Sequence, residues 1–94
     1  MKYLGIDYGT KRIGIAVSDD SGTLAFPRTT LAAGPAALST IVEMIKTEQA
    51  GKVVLGESRD FKGEPNLVME DIEQFKKDLH ELSGVEVVYE SELF

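Results

Sequence analysis

The residues of this chain with the clearest capacity for chemistry are gathered in Gly5-Ile-Asp-Tyr-Gly-Thr10. Asp7 stands at the end of a short apolar run, Tyr3 to Ile6, with a glycine two residues to either side. Glycines beside a strand-end aspartate let a phosphate or a metal ion approach the backbone closely. A lone carboxylate buried at such a place costs roughly several kcal/mol unless something pairs with it. A metal ion or a phosphate-bound cation supplies that pairing. The same six residues also suit a plain hairpin with a solvated aspartate at its mouth, because short glycine-rich patterns are common.

The other polar candidates are weaker. Thr10 offers a hydroxyl to a phosphate, or satisfies its own tight turn. Lys11, Arg12, Arg28, Arg59 and Lys62 lie near the loops that flank such a site. They suit phosphate positioning, and each alone reads equally as surface charge. His80 falls beside the apolar stripe of a helix and reads as a boundary residue rather than a general base. Glu70, Asp71, Glu73, Asp78 and Glu81 read as the solvated face of the same helix.

These side chains need elements to carry them. Tyr3–Ile6 and Ile13–Val17 have the composition and length of strands, and Gly9-Thr-Lys-Arg12 joins them as a hairpin turn. Ser18 to Gly22 is a turn cluster. Thr23–Phe26 reads as a short third strand stopped by Pro27, and residues 28–33 are a connection without an assigned element. Gly34-Pro35 opens a helix, since proline is tolerated where no donor is needed. Leu38, Ile41, Val42 and Ile45 follow its apolar spacing, and Gly51 stops it. Lys52–Gly56 is an apolar run that suits a buried parallel strand. Residues 57–65 read as a loop. Asn66 caps a second helix with the stripe Val68, Ile72, Phe75, Leu79 and Leu82, ended by Gly84. Val85–Glu90 is the last strand. The order β-β-β-α-β-α-β predicts a mixed five-stranded α/β sheet with helices packed on its faces.

Bulk properties narrow the classes. With 94 residues and 43% hydrophobic side chains the chain allows one domain, 1–94, with one core. No apolar run approaches the ~20 residues of a membrane span, and Met1-Lys-Tyr-Leu-Gly lacks the pattern of a signal peptide. The absence of cysteine excludes disulfides, thiolate metal sites and a cysteine nucleophile. A cytoplasmic protein with no membrane partner is the expectation. The net charge is −6. Residues 1–47 carry five Lys/Arg against four Asp/Glu, and residues 48–94 carry five against twelve. So acidic a chain binds nucleic acid poorly unless a local basic patch, bound metal ions or a partner helps.

Gly5-Ile-Asp-Tyr-Gly-Thr-Lys-Arg-Ile-Gly-Ile-Ala-Val-Ser-Asp19, then Gly22, Ala25 and Pro27, resembles the opening of the YqgF/RuvX family. Its members are described as Holliday-junction-resolvase-like proteins and as pre-16S rRNA nucleases. Val53-Val-Leu-Gly56, Gly63, the second helix and Val87-Val-Tyr89 continue the resemblance in order. It implies a ribonuclease H-like fold and metal-dependent phosphodiester cleavage in structured RNA or branched DNA, with ribosomal precursor particles as a partner. The chain departs from the family at Gly56-Glu57-Ser58, where Gly-Leu-Pro is common. It departs again at Ser91-Glu92-Leu93-Phe94, where Asp-Glu-Arg-Leu is common. Family members continue with a further helix and another Asp, so the resemblance implies a domain truncated at its C-terminus. A missing helix would leave apolar sheet exposed, which favours a homodimer.

Such cleavage uses carboxylates to hold two Mg²⁺ or Mn²⁺ ions roughly 3.5–4 Å apart. Hard oxygen ligands suit both metals. The resemblance makes Asp7, Glu57 and Glu92 the catalytic and metal-binding set, with Thr10, Lys11, Arg12 and Arg59 on the substrate. Glu57 also reads as a loop carboxylate paired with Arg59, and Glu92 as an exposed residue near the chain end. Glu90 replaces Glu92 if the register differs. Two other functions compete: nucleotide binding of the actin, heat-shock chaperone and sugar-kinase type, whose hairpins have the same pattern, and a non-catalytic binding module.

Overall fold

The computed structural model describes residues 1–57 and 65–90, with the side chains of residue 57 and residues 65–70 left aside. It contains the strands β1 (Tyr3–Tyr8), β2 (Arg12–Ser18), β3 (Ala25–Ala32), β4 (Lys52–Glu57) and β5 (Glu86–Tyr89). The helices are α1 (Pro35–Glu48) and α2 (Pro65–Ser83). The strands form one sheet in the order β3-β2-β1-β4-β5. The β1–β2 and β2–β3 pairs are antiparallel, and β1–β4 and β4–β5 are parallel. Each parallel strand is reached through a helix, as crossover connections require.

Alternation along the strands decides the two faces. Leu4 and Ile6 of β1, Ile13, Ile15 and Val17 of β2, Val53 and Leu55 of β4, and Val87 of β5 are all buried. They form one core cluster with Ala37, Ile41, Val42 and Ile45 of α1 and Ile72, Phe75 and Leu79 of α2. Both helices therefore occupy the same face. The residues between, Gly5 and Asp7 on β1, Gly14 and Ala16 on β2, and Val54 and Gly56 on β4, turn to the other face. There they line a concavity of about 810 Å³.

The element order matches the reading of the sequence, and four details differ. Helix α2 begins at Pro65, so Asn66 stands inside its first turn rather than capping it. β3 does not stop at Pro27 but runs through it to Ala32. It is an edge strand, where proline is tolerated, and the β2–β3 register shifts at Ile15/Ala16, beside Pro27. Helix α1 ends before Gly51, because Gln49 takes a left-handed conformation at φ 57°. Its N–H donates to the Lys46 carbonyl at 3.2 Å and that of Ala50 to the Ile45 carbonyl at 3.0 Å, which satisfies the last turn. Leu82 is not in the core stripe of α2 but is 60% exposed. Gly84, at φ 75°, follows that turn and donates to the His80 carbonyl at 2.9 Å.

Polar contacts lock the edges of the sheet. The buried Ser18 hydroxyl accepts from the Tyr3 N–H at 2.7 Å and donates to the Asp19 carbonyl at 2.8 Å. Glu48, at the end of α1, accepts from Lys2 at 3.3 Å and from Arg28 of β3 at 2.5 Å. The Lys2 hydrogen bond and the Arg28 charge hold its carboxyl below the usual range against the opposing effect of burial.

Candidate active site on the open sheet face

Asp7 lies at the carboxyl end of β1, the end of a parallel strand where open α/β sheets bind their ligands. Its register partners are Gly14 on β2 and Gly56 on β4. Gly14 is in turn opposite Thr30 on β3. Tyr89 of β5 is in register with Leu55, so Glu90 stands one step further on, beside Gly56. The row across the sheet is Thr30, Gly14, Asp7, Gly56, Glu90, and all five line the concavity. Asp7 is thus the only side chain between Thr30 and Glu90.

The two glycines have different clearances. A Cβ on Gly14 would rest 3.7 Å from the Asp7 Cβ, an ordinary contact. A Cβ on Gly56 would come within 3.0 Å of Glu90 Oε2, because that carboxylate leans over the gap. Asp7 itself is exposed, so the cost of a buried lone charge does not arise. The case for a cation rests instead on the row, in which two carboxylates flank a position with no side chain.

The remaining candidates fall in several places. Thr10, Lys11 and Arg12 are exposed at the β1–β2 turn, at the same end of the sheet as Asp7. Alternation from Gly14 puts Arg12 on the open face. Glu57 is the last residue of β4 and is in register with Tyr8, one step beyond the Asp7–Gly56 pair. Glu92, Arg59 and Lys62 lie outside the described residues. Arg28 is held by Glu48 on the far side of β3, which makes it structural. His80 also has a structural contact, from Nδ1 to the Val85 carbonyl at 2.7 Å at the end of α2.

Three features of the site escaped the reading of the sequence. Gly56 reads there only as a strand boundary, Gly14 only as part of a motif, and Thr30 falls in an unassigned connection. Counting alternate residues along both strands of the hairpin would have placed Gly14 opposite Asp7. Nothing local to Gly56 reveals its register with Asp7, which depends on a crossover. Tyr8 marks the helix side of the same sheet end. Its ring lies 5.1 Å from that of Phe75, and burial, aided by the Asp71 charge, pushes its phenol up.

The donor chemistry suits a hard divalent cation, since the row offers carboxylates and a hydroxyl and neither sulfur nor imidazole. Gly56 puts no side chain of its own beside Asp7. Among the described residues no group of three or more His, Asp or Glu converges, so Asp7 and Glu90 are the carboxylates in place.

The fold is that of a ribonuclease H-like domain. Thermus thermophilus RuvC, solved in complex with a Holliday junction substrate, superposes with a TM-score of 0.67 at 16% identity, over 95% of this chain and 63% of RuvC. A ROK hexokinase from the same organism gives 0.62 at 18% identity, over 96% of this chain and 33% of its own. The RuvX family model, described as Holliday junction resolvase, matches residues 1–94, and the chain belongs to that family. A relative from Oleidesulfovibrio alaskensis, described as "Putative pre-16S rRNA nuclease", is 38% identical over 89 residues, 93% of this chain and 62% of the relative. One of the same description from Maridesulfovibrio salexigens is 38% identical over 84 residues, 84% of this chain and 60% of the relative. The chain thus spans about three-fifths of the length of these relatives.

Proposed function

We propose that this chain carries the Asp7 part of the active site of a metal-dependent nuclease that cleaves phosphodiester bonds in structured nucleic acid. Its role is 5′-end processing of pre-16S rRNA within ribosomal precursor particles. Resolution of Holliday junctions in DNA is the alternative. The observation that carries the reading is the exposed Asp7 between two register-paired glycines at the carboxyl end of β1. That arrangement gives a phosphate access to a carboxylate on rigid backbone, and the family's described activities supply the substrate class.

Asp7, Glu57 and Glu92 would hold the divalent ions, with Asp7 the central ligand. Bound Mg²⁺ or Mn²⁺ would neutralise the phosphodiester and make the attacking water more acidic. Gly14 and Gly56 place no side chain of their own beside Asp7, so that the scissile phosphate approaches it over bare backbone. Thr10, Lys11, Arg12 and Arg59 hold neighbouring phosphates and fix the strand's register without reading its sequence. With a net charge of −6, binding away from these groups is repulsive, which favours structured substrates that present phosphates at the turn.

The test is cleavage of two substrates by the protein with Mg²⁺ or Mn²⁺: a precursor transcript spanning the 5′ end of 16S rRNA, and a four-way DNA junction. The proposal predicts metal-dependent cuts in the transcript that chelator abolishes. Cleavage of the junction alone would move the function to recombination. Saturable micromolar ATP·Mg²⁺ binding without cleavage of either would move it to the nucleotide-binding class.

A further inference from the structure

We propose that Thr30 of β3 takes the ribose 2′-hydroxyl beside the scissile phosphate and so biases the site toward RNA. This rests on the nuclease reading above and deepens it by naming the substrate class. The register of the sheet carries it. Thr30 pairs with Gly14, and Gly14 pairs with Asp7, so the two side chains share one row. Leu31, the next residue of β3, is opposite the buried Ile13, which turns Thr30 to the open face. Neighbouring strands are about 4.8 Å apart, so Thr30 and Asp7 are separated by roughly twice that. Gly14 puts no side chain between them, and both line the same concavity.

The chemistry of this wall selects what lies against it. The residues that β3 contributes to the concavity, Ala25, Pro27, Thr29 and Thr30, are all uncharged. Among the described residues that line it the one cation is Lys52, opposite Tyr3 at the amino end of β4 and paired with Glu86 at 3.7 Å. The wall at Thr30 therefore has no counter-charge for a second phosphate and suits the uncharged sugar of the nucleotide. Thr30 is exposed, and among the described residues no hydrogen bond occupies its hydroxyl. A hydroxyl both donates and accepts, as does the ribose 2′-hydroxyl, the group by which a protein tells RNA from DNA. Arg12 stands two residues from Gly14 on the same face, where the next phosphate of the strand would meet a cation.

The experiment is single-turnover cleavage, with Mn²⁺, of the precursor transcript spanning the 5′ end of 16S rRNA. Wild type, Thr30→Val and Thr30→Ser are compared, and thermal unfolding confirms that each is folded. Each protein also receives two transcripts with a single 2′-deoxy nucleotide, placed immediately before or immediately after the cut. Thr30→Val keeps the branched shape and removes the hydroxyl, so it should cleave the all-ribose transcript about five- to tenfold more slowly. Thr30→Ser should recover most of that loss. On one of the deoxy transcripts wild type should lose the same factor, and Thr30→Val should lose nothing more. If Thr30→Val matches wild type on the all-ribose transcript, or costs the same factor on both deoxy transcripts, the role of Thr30 is overturned while the nuclease reading stands. If wild type cleaves none of the transcripts, the nuclease reading is overturned, and the role of Thr30 with it.

Discussion

Asp7 and Gly56 are register partners in the parallel β1–β4 ladder, and the Glu90 carboxylate leans over the space a Gly56 side chain would fill. The position is open because glycine occupies it. The backbone there has no positive φ that would require glycine, unlike that of Gly22 at φ 74°.

That contrast gives a paired prediction. In Gly56→Ala the new methyl meets the end of a flexible side chain, so the unfolding free energy should change by less than about 1 kcal/mol. A methyl beside Asp7 narrows the approach to its carboxylate, so metal-dependent cleavage should fall by about tenfold or more. In Gly22→Ala the methyl meets the Met1 carbonyl at 2.8 Å on a left-handed backbone. It should cost about 1–3 kcal/mol. Urea denaturation of both variants, with a cleavage assay of the first, checks the pair.

The core makes a second contrast, along a single helix. Leu79 is fully buried while Leu82, one turn later, is 60% exposed. Leu79→Ala should destabilise by about 2–5 kcal/mol, and Leu82→Ala by no more than about 0.5 kcal/mol. Chemical denaturation midpoints at constant m-value measure both.

The different fates of these two leucines show what the sequence makes legible. Helical periodicity counts both in one stripe, because it records which face a residue is on and not what packs against it. β1, β2 and β4 are legible because short apolar runs with glycine at their borders have few other readings. β3 is not, because its residues are nearly all exposed and a proline interrupts them, so an edge strand resembles a loop. Within the site, Asp7 stands out through its flanking glycines. The link from Asp7 to Gly56 and Glu90 depends on two crossovers of unknown register, and only the assembled sheet reveals it.

Acid should weaken the fold through Glu48. Its carboxyl lies below the ordinary value near 4.5, chiefly through the Lys2 hydrogen bond and then the Arg28 charge. A depressed folded pKa means that this stabilisation is present above the unfolded value and lost as pH falls through the folded one. Thermal unfolding measured from pH 6 down to pH 3 should therefore decline less steeply for Glu48→Gln than for wild type.

At alkaline pH the sign reverses for Tyr8. Burial first, and then the Asp71 charge, raise its phenol above the ordinary 10.0. A raised folded pKa favours the neutral form, so its contribution is complete below the unfolded value and is lost as pH rises through the folded one. Ultraviolet titration of phenolate should show a component above pH 10 that Tyr8→Phe removes and that Asp71→Asn moves down.

The central claim is that Asp7 is the ligand around which metal-dependent cleavage is built. Single-turnover cleavage of the precursor transcript by wild type and by Asp7→Asn, each titrated with Mn²⁺, tests it most directly. The predicted result is a loss of at least about 100-fold in the variant at every metal concentration, with its unfolding midpoint unchanged. A variant that cleaves at the wild-type rate, with the same metal dependence, would contradict it.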